Sequence, residues 1–177
     1  MSAPPHVTAR APHLAGAARG GRVWRFGSHV STDVITPGRM NISTDDAELA
    51  QGCFAEVRPE LRAQAQPGDL IVADANFGCG SSRESAARAL KALGLVVVAP
   101  SYGSIFYRNA VNIGLPVYVA EGALTGVADG ATATLTNDGM RIGNLVIPLS
   151  GASGFLAGIV AAGGIVPYVS QNGGLTP

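Results

Sequence analysis

The sequence predicts an α/β fold built on a βαβ core, and three observations predict it. Short apolar runs at residues 69–73, 95–99 and 117–120 have the length and β-branched content of buried strands. The stretches between them carry helical spacing, with Ala86, Leu90 and Leu93 on one face and Arg83, Glu84, Arg88 and Lys91 mostly elsewhere. Glycine and proline punctuate the joints, at Pro67-Gly68, at Gly94, and at Gly114 with Pro116 just beyond. Strand, loop, helix and strand within about thirty residues form a crossover unit, which requires parallel strands.

Taken in order, residues 1–21 hold Pro4, Pro5, Pro12 and Gly20-Gly21 without apolar periodicity, and read as a disordered leader. An organellar presequence would need more serine and an amphipathic helix, and a secretory signal would need an apolar stretch after a basic start. Residues 22–26 alternate as a strand. The loop Ser31-Thr-Asp-Val-Ile-Thr-Pro-Gly38 has turn chemistry. Residues 44–65 read as helix in pieces, broken near Pro59, and Pro67-Gly68-Asp69 marks a turn.

The crossover follows: a strand over 69–73, the loop Asn76-Phe-Gly-Cys-Gly-Ser-Ser82, a helix over 83–93, and a strand over 95–99. A second helix spans 102–112 and leads into a third core strand over 117–120. Residues 131–136 and 140–149, joined through Asn137-Asp-Gly139, form a hairpin. Residues 150–169 are almost wholly apolar, and no charged side chain follows Arg141. That length could span a bilayer, but its glycines and the lack of flanking Lys or Arg favour a packed helix over 155–162. The residues after 170 read as a flexible tail.

Composition sets the limits on chemistry. The 177 residues carry 12 Lys+Arg against 12 Asp+Glu, so no net charge draws the chain to nucleic acid or an acidic membrane. The length supports a core without disulfides. Two cysteines exclude a disulfide framework, a four-cysteine metal site and a cluster held by the chain's own thiolates. His29 is the only histidine beyond the leader, which argues against a histidine-based acid/base pair. Cys79 reads as a small loop-lining thiol rather than a nucleophile.

The chemistry concentrates in Phe77-Gly-Cys-Gly-Ser-Ser-Arg-Glu84, which joins a strand to a helix N-terminus. Unpaired N–H groups and the helix dipole there attract anions. Gly78 and Gly80 permit close backbone approach, and Arg83 offers a fork that fits a carboxylate. A structural reading stands beside this one, because Ser81-x-x-Glu84 also fits a capping box. The loop lacks the third glycine of a dinucleotide fingerprint and the lysine of a phosphate-binding loop.

Three longer motifs carry a resemblance. Ser31-Thr-Asp-Val-Ile-Thr-Pro-Gly-Arg39, Ala75-Asn-Phe-Gly-Cys-Gly-Ser-Ser-Arg-Glu84 and Ile105-Phe-Tyr-Arg-Asn-Ala-Val-Asn-Ile-Gly-Leu-Pro116 resemble, in the same order, small subunits of the aconitase family. Residues 22–170 are most similar to the 3-isopropylmalate dehydratase type. The resemblance implies a swivelling β/β/α domain that closes over the active site of a separate large subunit holding a 4Fe-4S cluster, with no metal held by this chain. It implies a hydro-lyase that moves a hydroxyl between neighbouring carbons of a small diacid, inactive without its partner and located in the cytoplasm as a heterodimer or larger assembly.

Residue by residue, the resemblance assigns the catalytic base to Ser81 and substrate binding to Ser82 and Arg83. Asp33 matches an aspartate near the site, against the alternative of a plain turn residue. Arg39 and Ile42 fall where the family tunes its substrate. An apolar Ile42, with no arginine following Arg39 in that segment, favours an alkyl-bearing diacid, 3-isopropylmalate first. Dimethylmalate, citramalate, homoaconitate and specialised diacids stay open, as does a non-catalytic carboxylate-binding module. Two departures stand out: Met40-Asn41 replaces the usual Tyr-Leu, and Ser85 replaces the usual histidine.

Overall fold

The computed structural model of the chain describes residues 19–40 and 43–174. Side-chain alternation along four parallel strands decides the layering. These are β1 (Arg19–Phe26), β2 (Leu70–Ala73), β3 (Val96–Ala99) and β4 (Val117–Ala120), with Val23 opposite Leu70, Leu70 opposite Val96 and Val97 opposite Val117. On one face Trp24, Ile71, Ala73, Val97 and Ala99 meet the helices, including Leu49, Leu90 and Phe106. On the other face Val23, Leu70, Val72, Val96 and Val98 meet Ala133, Leu135, Met140 and Ile147. Both faces are covered, which is why these strands read as unbroken apolar runs.

The helices of the first face follow from local signals. Asp45 caps α2 (Asp46–Gly52), its carboxylate accepting from the Ala47 N–H at 2.8 Å. After a break at Pro59 comes α3 (Leu61–Gln64). The crossovers are α4 (Glu84–Ala92) and α5 (Ser104–Ile113), and α5 ends on left-handed Gly114. The second face is covered by β5 (Thr132–Thr136), β6 (Gly139–Ile142) and β7 (Leu145–Ile147), all antiparallel neighbours, while β8 (Leu149–Gly151) closes against β4. The strand order is β7-β6-β5-β1-β2-β3-β4-β8, a β/β/α arrangement.

β1 serves both β layers. Residues 19–22 pair antiparallel with β5 and residues 23–26 pair parallel with β2. The buried carboxylate of Asp69 fixes this junction, accepting from the Arg22 N–H at 2.8 Å, the Trp24 indole N–H at 3.0 Å and the Gln66 N–H at 3.1 Å.

Several sequence expectations are corrected here. The first strand begins before Arg22, because Arg19–Gly21 already belong to β1. The Gly-Gly pair looks like a loop signal, yet a Cβ at Gly21 would lie 2.5 Å from Asp69 Oδ1, so close packing requires it. Residues 1–18 lie outside the described residues. The loop over 31–38 contains a single helical turn, α1 (Thr32–Ile35), and a 3-10 turn at Gly38–Met40. The second arm of the hairpin is three strands rather than one, with a sharp reversal at left-handed Gly143.

The apolar end is two helices, α6 (Phe155–Ala161) and α7 (Ile165–Asn172), which makes residues 171–172 helical rather than tail. They bend by 101°, and among the described residues no single helix is long and apolar enough to cross a membrane. Lys91 ties the bend down by donating to the Gly163 carbonyl at 2.8 Å and the Ile113 carbonyl.

Candidate active site

The site forms at the C-terminal ends of β1 and β2, where two loops run side by side. The Gly78 N–H donates to the Val30 carbonyl at 2.7 Å and the Thr32 N–H to the Cys79 carbonyl at 2.9 Å, so residues 30–32 and 78–79 form a short parallel ladder. A second connection runs to the start of α5, where the Gly103 N–H donates to the Phe77 carbonyl at 2.8 Å. Phe77 is buried edge-on to Phe106, with ring centroids 5.3 Å apart. The loop is thereby anchored at its root and open at its tip.

Gly78 shows why glycine is required there. Its φ is +73°, and a Cβ would lie 2.2 Å from Cγ of Phe106. Two non-glycine residues, His29 at φ 59° and Asn76 at φ 65°, are also left-handed beside the loop, with Asn76 Nδ2 3.0 Å from His29 Nδ1. Such conformations persist only where surroundings enforce them. Here the His29 N–H donates to the Ala75 carbonyl at 2.9 Å and the Asn76 N–H to Ser101 Oγ at 2.8 Å.

At the tip, Ser81 and Ser82 are exposed and Arg83 is half-buried. The expected capping box does not form. Arg83 itself is the N-cap of α4, without a side-chain cap, and Ser81 lies two residues earlier. Ser81 is drawn instead to α1: Thr32 Oγ1 lies 3.1 Å from the Ser81 carbonyl oxygen and 3.3 Å from Ser81 Oγ. The uncapped end of α4 therefore turns its positive dipole toward the serines. Arg83 forms an ion pair with Asp33 that joins the two loops. The loop tip thus carries two exposed serines, a guanidinium and a helix start, a set of groups suited to a carboxylate.

The structure brings together Ser81, Ser82, Arg83 and Asp33 from the residues singled out by sequence. Arg39 is exposed and paired with Glu56 at 2.5 Å, one residue beyond Gly38, which faces the Arg83 guanidinium. Ile42 lies outside the described residues. Sequence reasoning gave no role to Thr32 or Asn76 and weighed His29 only against an acid/base pair. Thr32 lay within a quoted motif, but its partner is 49 residues away, so local spacing carried no signal.

The two thiols differ. Cys53 is fully buried and burial pushes its thiol far up, leaving it inert, whereas Cys79 is half-buried in the loop. Among the described residues no three His, Cys, Asp or Glu side chains converge as metal ligands.

Comparison with known proteins sets this geometry in context. Residues 44–122 match the aconitase C-terminal domain family. The 3-isopropylmalate dehydratase small subunit of Moorella thermoacetica is 41% identical over 157 residues, covering 86% of this chain and 95% of that one. A methanogen homoaconitase small subunit from Methanothermobacter thermautotrophicus is 55% identical over 102 residues, covering 57% of this chain and 60% of that one. The crystal structure of 3-isopropylmalate dehydratase from Methanocaldococcus jannaschii superposes with a TM-score of 0.83 at 38% identity, covering 89% of this chain and 96% of that one.

Proposed function

The chain belongs to the 3-isopropylmalate dehydratase small-subunit family within the aconitase group, and from that premise we propose that it supplies the base and carboxylate-binding half of a hydro-lyase site. The observation that carries this reading is the clustering of Ser81, Ser82, Arg83 and Asp33 around the uncapped start of α4.

In the reaction, the alkoxide of Ser81 takes a proton from the carbon beside a substrate carboxylate. An O–H bond forms, the C–H bond breaks, and its electron pair moves into that carboxylate. The pair then forms the alkene as hydroxide leaves the neighbouring carbon, for which the cluster of the large subunit would supply the Lewis acid, and rehydration runs the sequence backwards at the other carbon. A serine hydroxyl is a weak base, so its alkoxide needs preorganised positive charge in a site closed to water. The α4 dipole and Arg83 offer that charge, and Arg83 with Ser82 grips the carboxylate on which negative charge builds.

The family implies a 4Fe-4S cluster, and the donor set of this chain does not fit one. Cys53 is sealed in the core, and a cluster needs several thiolates at one place. We assign the cluster to a large subunit that pairs with this chain in a heterodimer or higher assembly, with residues 19–172 as the closing domain. A cytoplasmic location, where thiols stay reduced, is part of the proposal.

The substrate is a hydroxy-diacid, with 3-isopropylmalate as the first assignment. The identity to a homoaconitase small subunit supports, as the second, a hydroxy acid with a third carboxylate. The test mixes this chain with a cluster-bearing large subunit and follows alkene formation from each acid. Ser81→Ala should abolish turnover while assembly persists, and activity surviving in that variant sinks the base assignment. A chain that stays monomeric and never associates with an iron–sulfur subunit sinks the subunit reading.

A further inference from the structure

Thr32 is the buried hydroxyl nearest the proposed base. It is 1% exposed, and it opens α1, whose cap is the Ser31 hydroxyl accepting from the Val34 N–H at 3.2 Å. Its backbone is fixed by the Thr32 N–H bond to the Cys79 carbonyl at 2.9 Å. Its hydroxyl faces two oxygens of one residue, the Ser81 carbonyl at 3.1 Å and Ser81 Oγ at 3.3 Å. A hydroxyl has a single proton to donate and two lone pairs to accept with. With Ser81 neutral, Thr32 donates to the carbonyl and can accept the Ser81 proton. With Ser81 ionised, the same rotor can turn and donate to Oγ.

Resting on the assignment of Ser81 as base, we propose that Thr32 is a positioning residue that switches its hydroxyl proton from the Ser81 carbonyl to the Ser81 alkoxide. No bond is made or broken to oxygen in the switch: the Thr32 O–H rotates and exchanges a neutral acceptor for a charged one. A hydrogen bond to an ionised oxygen is shorter and roughly twice as strong as a neutral one, so the exchange favours the alkoxide. Burial strengthens the effect, because Thr32 is screened from the water that would compete for its proton. The charged groups around the pair are Asp33 on the same helical turn and Arg83 and Glu84 at the start of α4. Asp33 and Arg83 are already ion-paired, and among the described residues Thr32 is the neutral hydroxyl within hydrogen-bond distance of Ser81 Oγ.

The test uses the enzyme assembled with its large subunit and compares pH–rate profiles of wild type, Thr32→Val and Thr32→Ser. Valine keeps the shape and removes the donor, while serine restores it. Thr32→Val should lower kcat/KM about 100-fold, in the range for loss of one donor to a reacting oxyanion. Its acidic limb should move up by about two pH units, since each tenfold loss of alkoxide stabilisation raises the pKa by one. Thr32→Ser should recover most of both. A Thr32→Val profile that overlays wild type, or a Thr32→Ser variant as impaired as Thr32→Val, overturns the role of Thr32 while a dead Ser81→Ala keeps the base assignment. An active Ser81→Ala overturns both.

Discussion

Arg83 and Asp33 form an ion pair that bridges the glycine–serine loop and the α1 turn, joining residues 50 apart in sequence. The guanidinium is half-buried and the carboxylate more exposed, so the pair adds little to folding; exposed pairs contribute about 0–1 kcal/mol. Its consequence is geometric. It fixes the guanidinium at the joint between the two loops.

Arg83→Lys should therefore leave stability within about 0.5 kcal/mol of wild type and still damage function. A lysine is a point charge and cannot serve Asp33 and a substrate carboxylate with the planar fork of arginine. We expect KM for the diacid to rise about tenfold or more, the equivalent of one lost strong contact. Steady-state kinetics of the assembled enzyme check this, and an unchanged KM would remove Arg83 from substrate binding.

Gly78→Ala tests the root of the loop. The added methyl meets Phe106 at 2.2 Å on a backbone with φ +73°. Strain and overpacking together should cost at least about 2 kcal/mol. For a chain of this size the Tm should fall by about 4–8 °C, with activity lost because Ser81 is displaced. Calorimetry giving a wild-type Tm would show that the loop yields easily and is not rigidly seated.

Asp129 should make the fold sensitive to acid. Burial pushes its carboxyl up, but the Arg25 N–H and the Arg58 guanidinium outweigh that and hold it below its usual value. A depressed carboxylate contributes stability that is complete above the unfolded value of about 3.9 and is lost as pH falls through the folded value. Asp129→Asn should flatten the decline of the urea midpoint below about pH 4. Identical acid dependence in both proteins would argue that other carboxylates set it.

The core was the part most open to reading from sequence. Ile71, Val97 and their neighbours sit in runs too apolar for a one-faced sheet, and the positions of Gly94 and Gly114 end the helices that cross between them. Those are local statements, because strand and helix patterns depend on residues a few places apart. Residues 140–149 were less legible: the Gly143-Asn144 turn signal sits between two short apolar runs, and the pairing of Ile142 with Leu145 shows the reversal there. The capping box failed for a related reason. Ser81 had a local partner available in Glu84, and the buried Thr32 hydroxyl took it instead.

By itself, then, the sequence determined the α/β class, the crossover core, and a serine–arginine loop in a chain too poor in thiols for its own cluster. Tertiary structure decided which groups that loop faces. Ser81 meets Thr32 and Arg83 meets Asp33 because the ends of β1 and β2 lie side by side in a parallel sheet. Contacts made across some fifty residues carry no periodicity along the chain, so they exist only once the strands have paired.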